Sequence, residues 1–104
     1  MDWKKIEKRK LLQAVLSLKT EKEAAAFLRD LMTEKEIDEF AKRLKAAEML
    51  ADKIPYTVIE KTTGLSSTTV ARVAKWLNSQ AGGYRTIISR LHHNNPVRPR
   101  RGLS

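Results

Sequence analysis

The sequence predicts an all-α fold of six helices. Apolar residues recur at helical spacing through most of the chain, whereas β-branched residues never alternate over the length of a strand. Two Thr-x-x-Glu capping boxes, at 20–23 and 33–36, mark helix starts, because each pairs a hydroxyl and a carboxylate with exposed backbone amides. Gly64 and the Gly82-Gly83 pair stand where helices are expected to end.

The first three helices are defined by their caps and their apolar periodicity. We expect the first over about 2–17, the second over about 21–31 and the third over about 34–52. The side chains expected to face inward are Trp3, Ile6, Leu11, Val15 and Leu18 in the first helix, Ala24, Phe27, Leu28 and Leu31 in the second, and Ile37, Phe40, Leu44, Ala47 and Ala51 in the third.

Pro55 and Gly64 bound the fourth helix, which we expect over about 55–63. Proline suits the first helical position because no partner is needed there for its missing N–H. Glycine suits the left-handed residue that follows a helix. The segment 57–60 also fits a capping box, which would start the helix two residues later.

The fifth helix is expected to begin at a cap supplied by Ser66 or Ser67 and to run to residue 78 or 80. The glycine pair then breaks it, and a short sixth helix is expected over about 84–91.

The end of the chain differs from the rest in composition. From His92 onward it has no apolar period and contains two prolines. We therefore expect one helical domain over 1–91 and a flexible basic tail over 92–104.

The composition is that of a small globular protein. The chain has 104 residues, of which 41% are apolar and 32% charged. It has no cysteine, which excludes disulfides and thiolate metal sites. The basic N-terminus is not followed by an apolar core, and no apolar run approaches the roughly 20 residues that span a bilayer. We therefore expect a cytoplasmic protein with no membrane partner.

Charge is distributed unevenly along the chain. Residues 1–60 carry 13 basic and 12 acidic groups, whereas residues 61–104 carry eight basic groups and no acidic one. Almost all of the formal net charge of +9 therefore lies in the C-terminal half. Such a surface favours a polyanionic partner, of which nucleic acid is the commonest.

The segment 54–73 predicts a helix, a tight turn and a second helix, and so a helix-turn-helix over about 55–77. Gly64 supplies the backbone freedom that the turn requires. The angle between the helices would be held by apolar contacts among Ile59, Leu65, Val70 and Val73.

Hydroxyl side chains at the start of the fifth helix are the candidate base readers. Ser66, Ser67, Thr68 and Thr69 are small enough to approach a major groove and can bond to base edges there. Arg72 and Lys75 follow at one and two helical turns, suited to phosphates or guanine. The same serines and threonines would also suit a simple turn and helix cap.

Three segments resemble the tryptophan repressor family: 31–36, 40–45 and 64–73. The resemblance covers about 2–91, and residues 78–84 are more similar to a related branch without a settled effector. It implies a six-helix, intertwined homodimer that acts as a transcriptional regulator, in this case a repressor, on double-stranded DNA. Two copies of the fifth helix would then meet a palindrome.

The family's effector pocket corresponds to Thr33, Arg43 and Arg72. Two neighbouring positions differ, because Val73 stands where the repressor has glycine and Trp76 where it has serine. Both side chains would crowd the pocket, so we expect no L-tryptophan binding. The protein would be effector-free or use another ligand, and Arg43 would then be available to a phosphate.

The resemblance also adds Ala71 to the base-facing positions, beside Ser67 and Thr68. Arginines of the tail would supply phosphate or minor-groove contacts. The complete set of expected DNA-binding residues is Thr57, Ser66, Ser67, Thr68, Thr69, Ala71, Arg72, Lys75, Arg98, Arg100 and Arg101.

Other chemistry has little support in the sequence. No nucleophile, base and orienting group can be assembled, so we expect neither an enzyme nor a cofactor. Adjacent residues on a helix point about 100° apart, so His92 and His93 do not predict a metal site.

The basic run 4–10 is best explained as a solvated helix face, with contact to a phosphate or to a membrane surface as alternatives. Three other functions remain open: an interaction adaptor on the same scaffold, a structural RNA binder, and the DNA-binding part of a recombinase-type system.

Overall fold

The computed structural model describes residues 1–93 and contains six α-helices in that range, with no strand among the described residues. The predicted all-α class is confirmed. The chain divides into two compact units, Met1–Ile37 and Asp38–Ser104. The helices are α1 (Ile6–Leu16), α2 (Glu21–Leu31), α3 (Glu34–Ala51), α4 (Tyr56–Thr63), α5 (Ser67–Leu77) and α6 (Gly83–His93).

The capping box at 33–36 is confirmed, and the one at 20–23 is confirmed for its threonine bond, whereas its glutamate accepts from the residue before the N-cap. The Glu23 amide donates to Thr20 Oγ1 at 3.0 Å, and the Glu23 carboxylate accepts from the Lys19 amide at 3.0 Å. The Glu36 amide donates to Thr33 Oγ1 at 3.1 Å, and the Thr33 amide donates back to the Glu36 carboxylate at 2.9 Å. Helices α2 and α3 begin where these bonds satisfy their first amides.

Helix α1 is shorter than expected and begins at Ile6, not Asp2. The Asp2 side chain accepts from the Lys4 amide at 2.9 Å, which holds the preceding residues in a turn. Neither α1 nor α2 has a fully buried residue. The expected inward stripe of α1 is exposed in a single chain, whereas Ala24, Phe27 and Leu28 of the α2 stripe are half-buried. Ile6 is 84% exposed and Trp3 47% exposed.

The second unit contains the hydrophobic core. Its most completely buried side chains come from three helices: Ala46 and Ala47 on α3, Ile59 on α4, and Val70 on α5 are all 0% exposed. Helix α5 packs against both α4 and α6. Burying a side chain the size of Ile59 stabilises the fold by about 1.5–3 kcal/mol. The core is completed by Leu65, Val73, Ala74, Leu77 and Ile88.

A left-handed residue ends α3. Lys53 has φ 64°, and its amide donates to the Leu50 carbonyl at 2.9 Å. The Ile54 amide donates to the Met49 carbonyl at 3.0 Å, which completes a Schellman motif. Glycine is usual at this position, so a lysine here gave no signal in the sequence. The helix ends at Ala51, one residue before the expected end.

Helix α4 begins at Tyr56, with Pro55 as the N-cap residue and not the first helical residue. Pro55 has extended backbone geometry, φ −62° and ψ 147°, and its side chain offers no cap. The alternative start at Thr57 is wrong, because Thr57 already lies within the helix. Gly64 ends α4 at φ 77°, as its position predicted.

Helix α6 runs from Gly83 to His93, one residue earlier and two later than expected. Of the two adjacent glycines, only Gly82 has a left-handed backbone, at φ 71°. Gly83 therefore adopts helical geometry and is the first residue of α6. His92 and His93 are helical, which corrects the expected start of the tail. None of the helices in the described range is long and apolar enough to cross a membrane.

Candidate nucleic-acid interface

Helices α4 and α5 form a corner that is fixed by buried contacts on its inner side. Ile59 on α4 and Val70 on α5 lie in one apolar cluster, with Leu65 from the turn between them. The buried Thr63 hydroxyl donates to the Ile59 carbonyl at 2.7 Å and accepts from the Leu65 amide at 3.2 Å. Since this hydroxyl bonds on both sides of Gly64, it holds the turn as well as the end of α4.

The four hydroxyl residues of the turn and of α5 divide into two pairs. Ser66 caps α5, because its Oγ accepts from the Thr69 amide at 3.1 Å. The Ser66 hydroxyl also donates to Thr69 Oγ1 at 3.0 Å, so both side chains are engaged in the cap. Ser67 and Thr68 are exposed, and within residues 1–93 neither hydroxyl has a hydrogen bond. Ser67 and Thr68 are therefore the hydroxyls available to an external partner.

The outer face of α5 continues these two residues. Ala71, Arg72 and Lys75 are exposed, and they lie three, four and seven residues after Thr68. Residues at these spacings share one face of a helix. The opposite face carries Val70, Val73, Ala74 and Leu77, which are all buried.

The remaining expected contacts lie elsewhere in the chain. Thr57 is exposed in the first turn of α4. Arg98, Arg100 and Arg101 fall outside the described residues. Between Lys61 and His93 the described chain carries Lys61, Arg72, Lys75, Arg85 and Arg90 without any Asp or Glu. The surface of this part of the chain is therefore cationic.

The three residues expected at an effector pocket have different surroundings. Thr33 belongs to the first unit, where its hydroxyl bonds to Glu36 in the capping box at 3.1 Å. Arg43 and Arg72 belong to the second unit. Arg72 is exposed, whereas Arg43 is partly buried.

Arg43 has partners on its own helix. Its Nε donates to Glu39 Oε2 at 3.2 Å, and its guanidinium lies 5.7 Å from the centre of the Phe40 ring. Burial raises the pKa of the Tyr84 hydroxyl, and the nearby Arg43 cation opposes that rise. Tyr84 on α6 is thus close enough to sense the Arg43 charge.

Val73 and Trp76, which were expected to crowd the pocket, differ in exposure. Val73 is 2% exposed and is part of the core. Trp76 is 55% exposed in a single chain. An indole this exposed is typical of a surface that contacts another molecule.

An apolar cavity of about 470 Å³ lies beside Trp76 and was not foreseen from the sequence. Tyr84 and Ile87 of α6 line one side, and Leu44 of α3 lines another. The helical spacing of Tyr84, Ile87 and Leu91 was the available signal, because it places three apolar side chains on one face of α6. The other lining residues are Ser79, Ala81 and Gly83.

Two helices that meet at a glycine corner, with exposed hydroxyls at the start of the second, form a helix-turn-helix, an arrangement that many transcriptional regulators contain. The chain matches the model of the Trp repressor protein family over residues 7–92, and it belongs to that family. Members of this family are regulators and not enzymes, which agrees with the lack of a catalytic constellation in the sequence.

Individual relatives agree with this assignment. The chain is 38% identical over 81 residues to the uncharacterized protein YerC of Bacillus subtilis (strain 168), and this alignment covers 78% of each chain. A TrpR-like protein from Eubacterium eligens ATCC 27750 superposes with a TM-score of 0.81 at 37% identity, covering 86% of this chain and 93% of the other. A candidate Trp repressor from Staphylococcus aureus superposes with a TM-score of 0.79 at 30% identity, covering 88% and 95%.

Proposed function

We propose that this protein is a homodimeric transcriptional repressor that binds specific sequences in double-stranded DNA through α5. The observation that carries the proposal is the state of Ser67 and Thr68. Both are exposed at the start of a helix whose other face is fixed in the core by Val70. A rigid helix with unengaged hydroxyls at its N-terminus is suited to entering a major groove.

Base recognition would fall to the side chains at the start of α5. A hydroxyl can donate to or accept from base edges, and the threonine methyl can contact the methyl group of thymine. Ala71 lies one turn after Thr68 on the same face and is small enough to allow close approach. Ser66 and Thr69 support this function indirectly, because their mutual bonds fix the first turn of the helix.

Phosphate contacts would hold the helix in position. Arg72 and Lys75 are exposed further along α5, and Thr57 is exposed at the start of α4. The free amides of a helix N-terminus also favour a phosphate. Such contacts carry no sequence information, but they make affinity depend steeply on salt. Arg98, Arg100 and Arg101 would add to this electrostatic attraction.

A second copy of the chain would cover the apolar surface that one chain leaves open. Helices α1 and α2 have no buried residue, and α1 exposes Ile6 and Leu16 at 84% and 83%. The second unit also exposes Trp76 and Ile87 at the cavity beside α6. Isolated helices of 11 residues are marginal in water, so α1 gains stability when a partner covers its apolar side.

Dimerisation also determines the form of the DNA site. Two copies related by a two-fold axis present two α5 helices, which read half-sites about one helical turn, or 34 Å, apart. The operator would therefore be a palindrome. Chromosomal DNA as the partner places the protein in the cytoplasm.

No tryptophan effector is needed in this proposal. Val73 is in the core, and the Arg43 guanidinium already has Glu39 and Phe40 as neighbours. We expect these contacts to disfavour an amino-acid ligand, so DNA affinity should be independent of L-tryptophan.

Selection of bound sequences from a pool of random DNA duplexes tests the proposal. We expect enrichment of a palindrome. In a separate sedimentation measurement, the protein should have a mass near twice that of the 11.9 kDa chain. Competition with random RNA of equal length serves as the control. A pool that stays unenriched, or RNA that competes as well as DNA, would contradict sequence-specific DNA recognition.

A further inference from the structure

A second cavity, of about 400 Å³, lies within the second unit and is unlike the first. The apolar side chains in its lining include Leu50 of α3, Ile54 of the α3–α4 connection and Leu77 of α5. The polar side chains in its lining include Lys53, Asn78 and Arg85. The volume is within the range of pockets that hold small organic ligands.

The charged side chains that line this cavity have one sign. Lys53 and Arg85 both line it, and no carboxylate is among its lining residues in the part of the chain that the structure describes. Arg85 Nη2 donates to Asn78 Oδ1 at 2.8 Å, while Asn78 Nδ2 donates to the Ala74 carbonyl at 2.9 Å. A neutral amide therefore fixes one edge of the guanidinium without cancelling its charge, and a guanidinium has further donors.

Lys53 has an unusual backbone conformation. It is the one residue other than glycine with positive φ among those described, at 64°. Glycine adopts this conformation without steric cost, whereas a residue with a Cβ does not. At Lys53 this conformation belongs to the Schellman motif that ends α3, and the residue also lines the cavity.

We propose that this cavity binds a small organic anion with an apolar body, such as an aryl or alkyl carboxylate. The carboxylate would lie between Lys53 and Arg85, and the apolar body would cover Leu50 and Ile54, which are half-buried. Contact with these two side chains would distinguish the ligand from a DNA phosphate, which has no apolar body to bury. The site also lies at the end of α5 that is about 16 Å from Ser67, by the helical rise over 11 residues.

The position of the cavity couples it to the helix-turn-helix. Tyr56 at the start of α4 and Asn78 after the end of α5 both line it, together with Arg85 of α6. An anion that bridges these elements therefore changes the energy of moving α4 and α5 relative to α6. This regulatory consequence rests on the proposed DNA-binding function, whereas the binding site itself does not.

Titration calorimetry on the full chain without DNA tests the site, with phenylacetate and hexanoate as probes. We expect saturation at one site per chain for both. Phenylacetamide, which keeps the apolar body and lacks the charge, should bind at least about tenfold more weakly, and so should inorganic phosphate. Amide NMR shifts on phenylacetate binding should be largest at Lys53, Asn78 and Arg85.

Matched variants locate the binding. Lys53→Gly removes the ammonium and accepts positive φ, and Arg85→Gln removes the guanidinium charge. Each should weaken phenylacetate binding by about tenfold. Lys45→Gln, which removes an exposed cation of α3 outside the cavity, should leave it unchanged.

Three results would overturn the proposed site: neither probe saturates, Lys45→Gln weakens binding as much as Arg85→Gln, or phosphate binds as well as phenylacetate. The last would indicate a DNA phosphate contact instead.

Anisotropy with a selected duplex then measures the coupling between anion binding and DNA affinity. An affinity for DNA that phenylacetate leaves unchanged would refute the regulatory role even where the site itself is proven. Failure to bind any duplex would contradict the proposed function without affecting the calorimetric result.

Discussion

Ser66 and Thr69 bond to each other twice, through the Thr69 amide to Ser66 Oγ at 3.1 Å and between their hydroxyls at 3.0 Å. This pair closes the first turn of α5 and leaves Ser67 and Thr68 exposed between its two members. Four similar residues in a row therefore have two roles, since the outer pair shapes the helix start and the inner pair is available for recognition.

Thr68→Ala should alter DNA specificity and leave folding intact. The side chain is exposed and has no hydrogen bond within the described chain, so its loss costs little stability. At the base that it contacts, discrimination should fall by about 1–3 kcal/mol. Anisotropy titrations with the selected duplex and its single-base variants measure the change. A uniform loss over all sequences would instead assign Thr68 to the phosphates.

Ser66→Ala should have the opposite profile. It removes the acceptor for the Thr69 amide at the start of α5, so stability should fall by about 0.5–2 kcal/mol. Urea denaturation followed by circular dichroism measures it. Ser67→Ala is the matched control, because the same atoms are removed one residue later without loss of a cap. Equal destabilisation by the two changes would show that the cap assignment is wrong.

Lys53→Gly should raise the stability of the protein. The left-handed conformation costs a residue with a Cβ about 1–2 kcal/mol, and the greater entropy of unfolded glycine offsets about 0.4–1 kcal/mol of the gain. The net gain is about 0.5–1 kcal/mol, measurable by urea denaturation. Lys45→Gly lies within α3 and should instead destabilise by about 1 kcal/mol. A loss of stability in Lys53→Gly would mean that the lysine side chain makes a stabilising contact that outweighs the strain.

Local chemistry determined most of what the sequence could predict. Helix starts with a Thr-x-x-Glu box and the glycine end of α4 were predicted correctly, because the bonds involved join residues within four positions. The core contacts of Ile59 and Val70 followed from helical spacing.

Features that depend on residues far apart in the chain were not predictable in the same way. The cavities combine residues of α3, α5 and α6 that no short pattern connects. The left-handed Lys53 was missed because its neighbours, and not its own preference, impose the conformation. The exposure of the α1 stripe was missed because apolar spacing shows that a face is to be covered, but does not show by which chain.

L-tryptophan should not bind this protein with micromolar affinity. Val73 is 2% exposed within the core, and Arg43 is bonded to Glu39 at 3.2 Å, so one of the two arginines that the resemblance assigns to the pocket is already engaged. Calorimetric titration of the full chain with L-tryptophan provides the measurement, with phenylacetate as the positive comparison. Saturable micromolar binding would show that Val73 or Arg43 rearranges, and would restore tryptophan as an effector.

Truncation after His93 should weaken DNA binding without changing the preferred sequence. The removed segment contains Arg98, Arg100 and Arg101 and no acidic residue, so its contribution is electrostatic. For every phosphate that the truncated chain no longer neutralises, the slope of log affinity against log salt should become shallower by about 0.9. Titrations of the full and truncated chains at several salt concentrations give this slope, and Thr68→Ala, which removes no charge, should leave it unchanged. If truncation altered the selected palindrome and left the slope constant, the arginines would be reading bases in the minor groove and the division between α5 and the C-terminal segment would have to be redrawn.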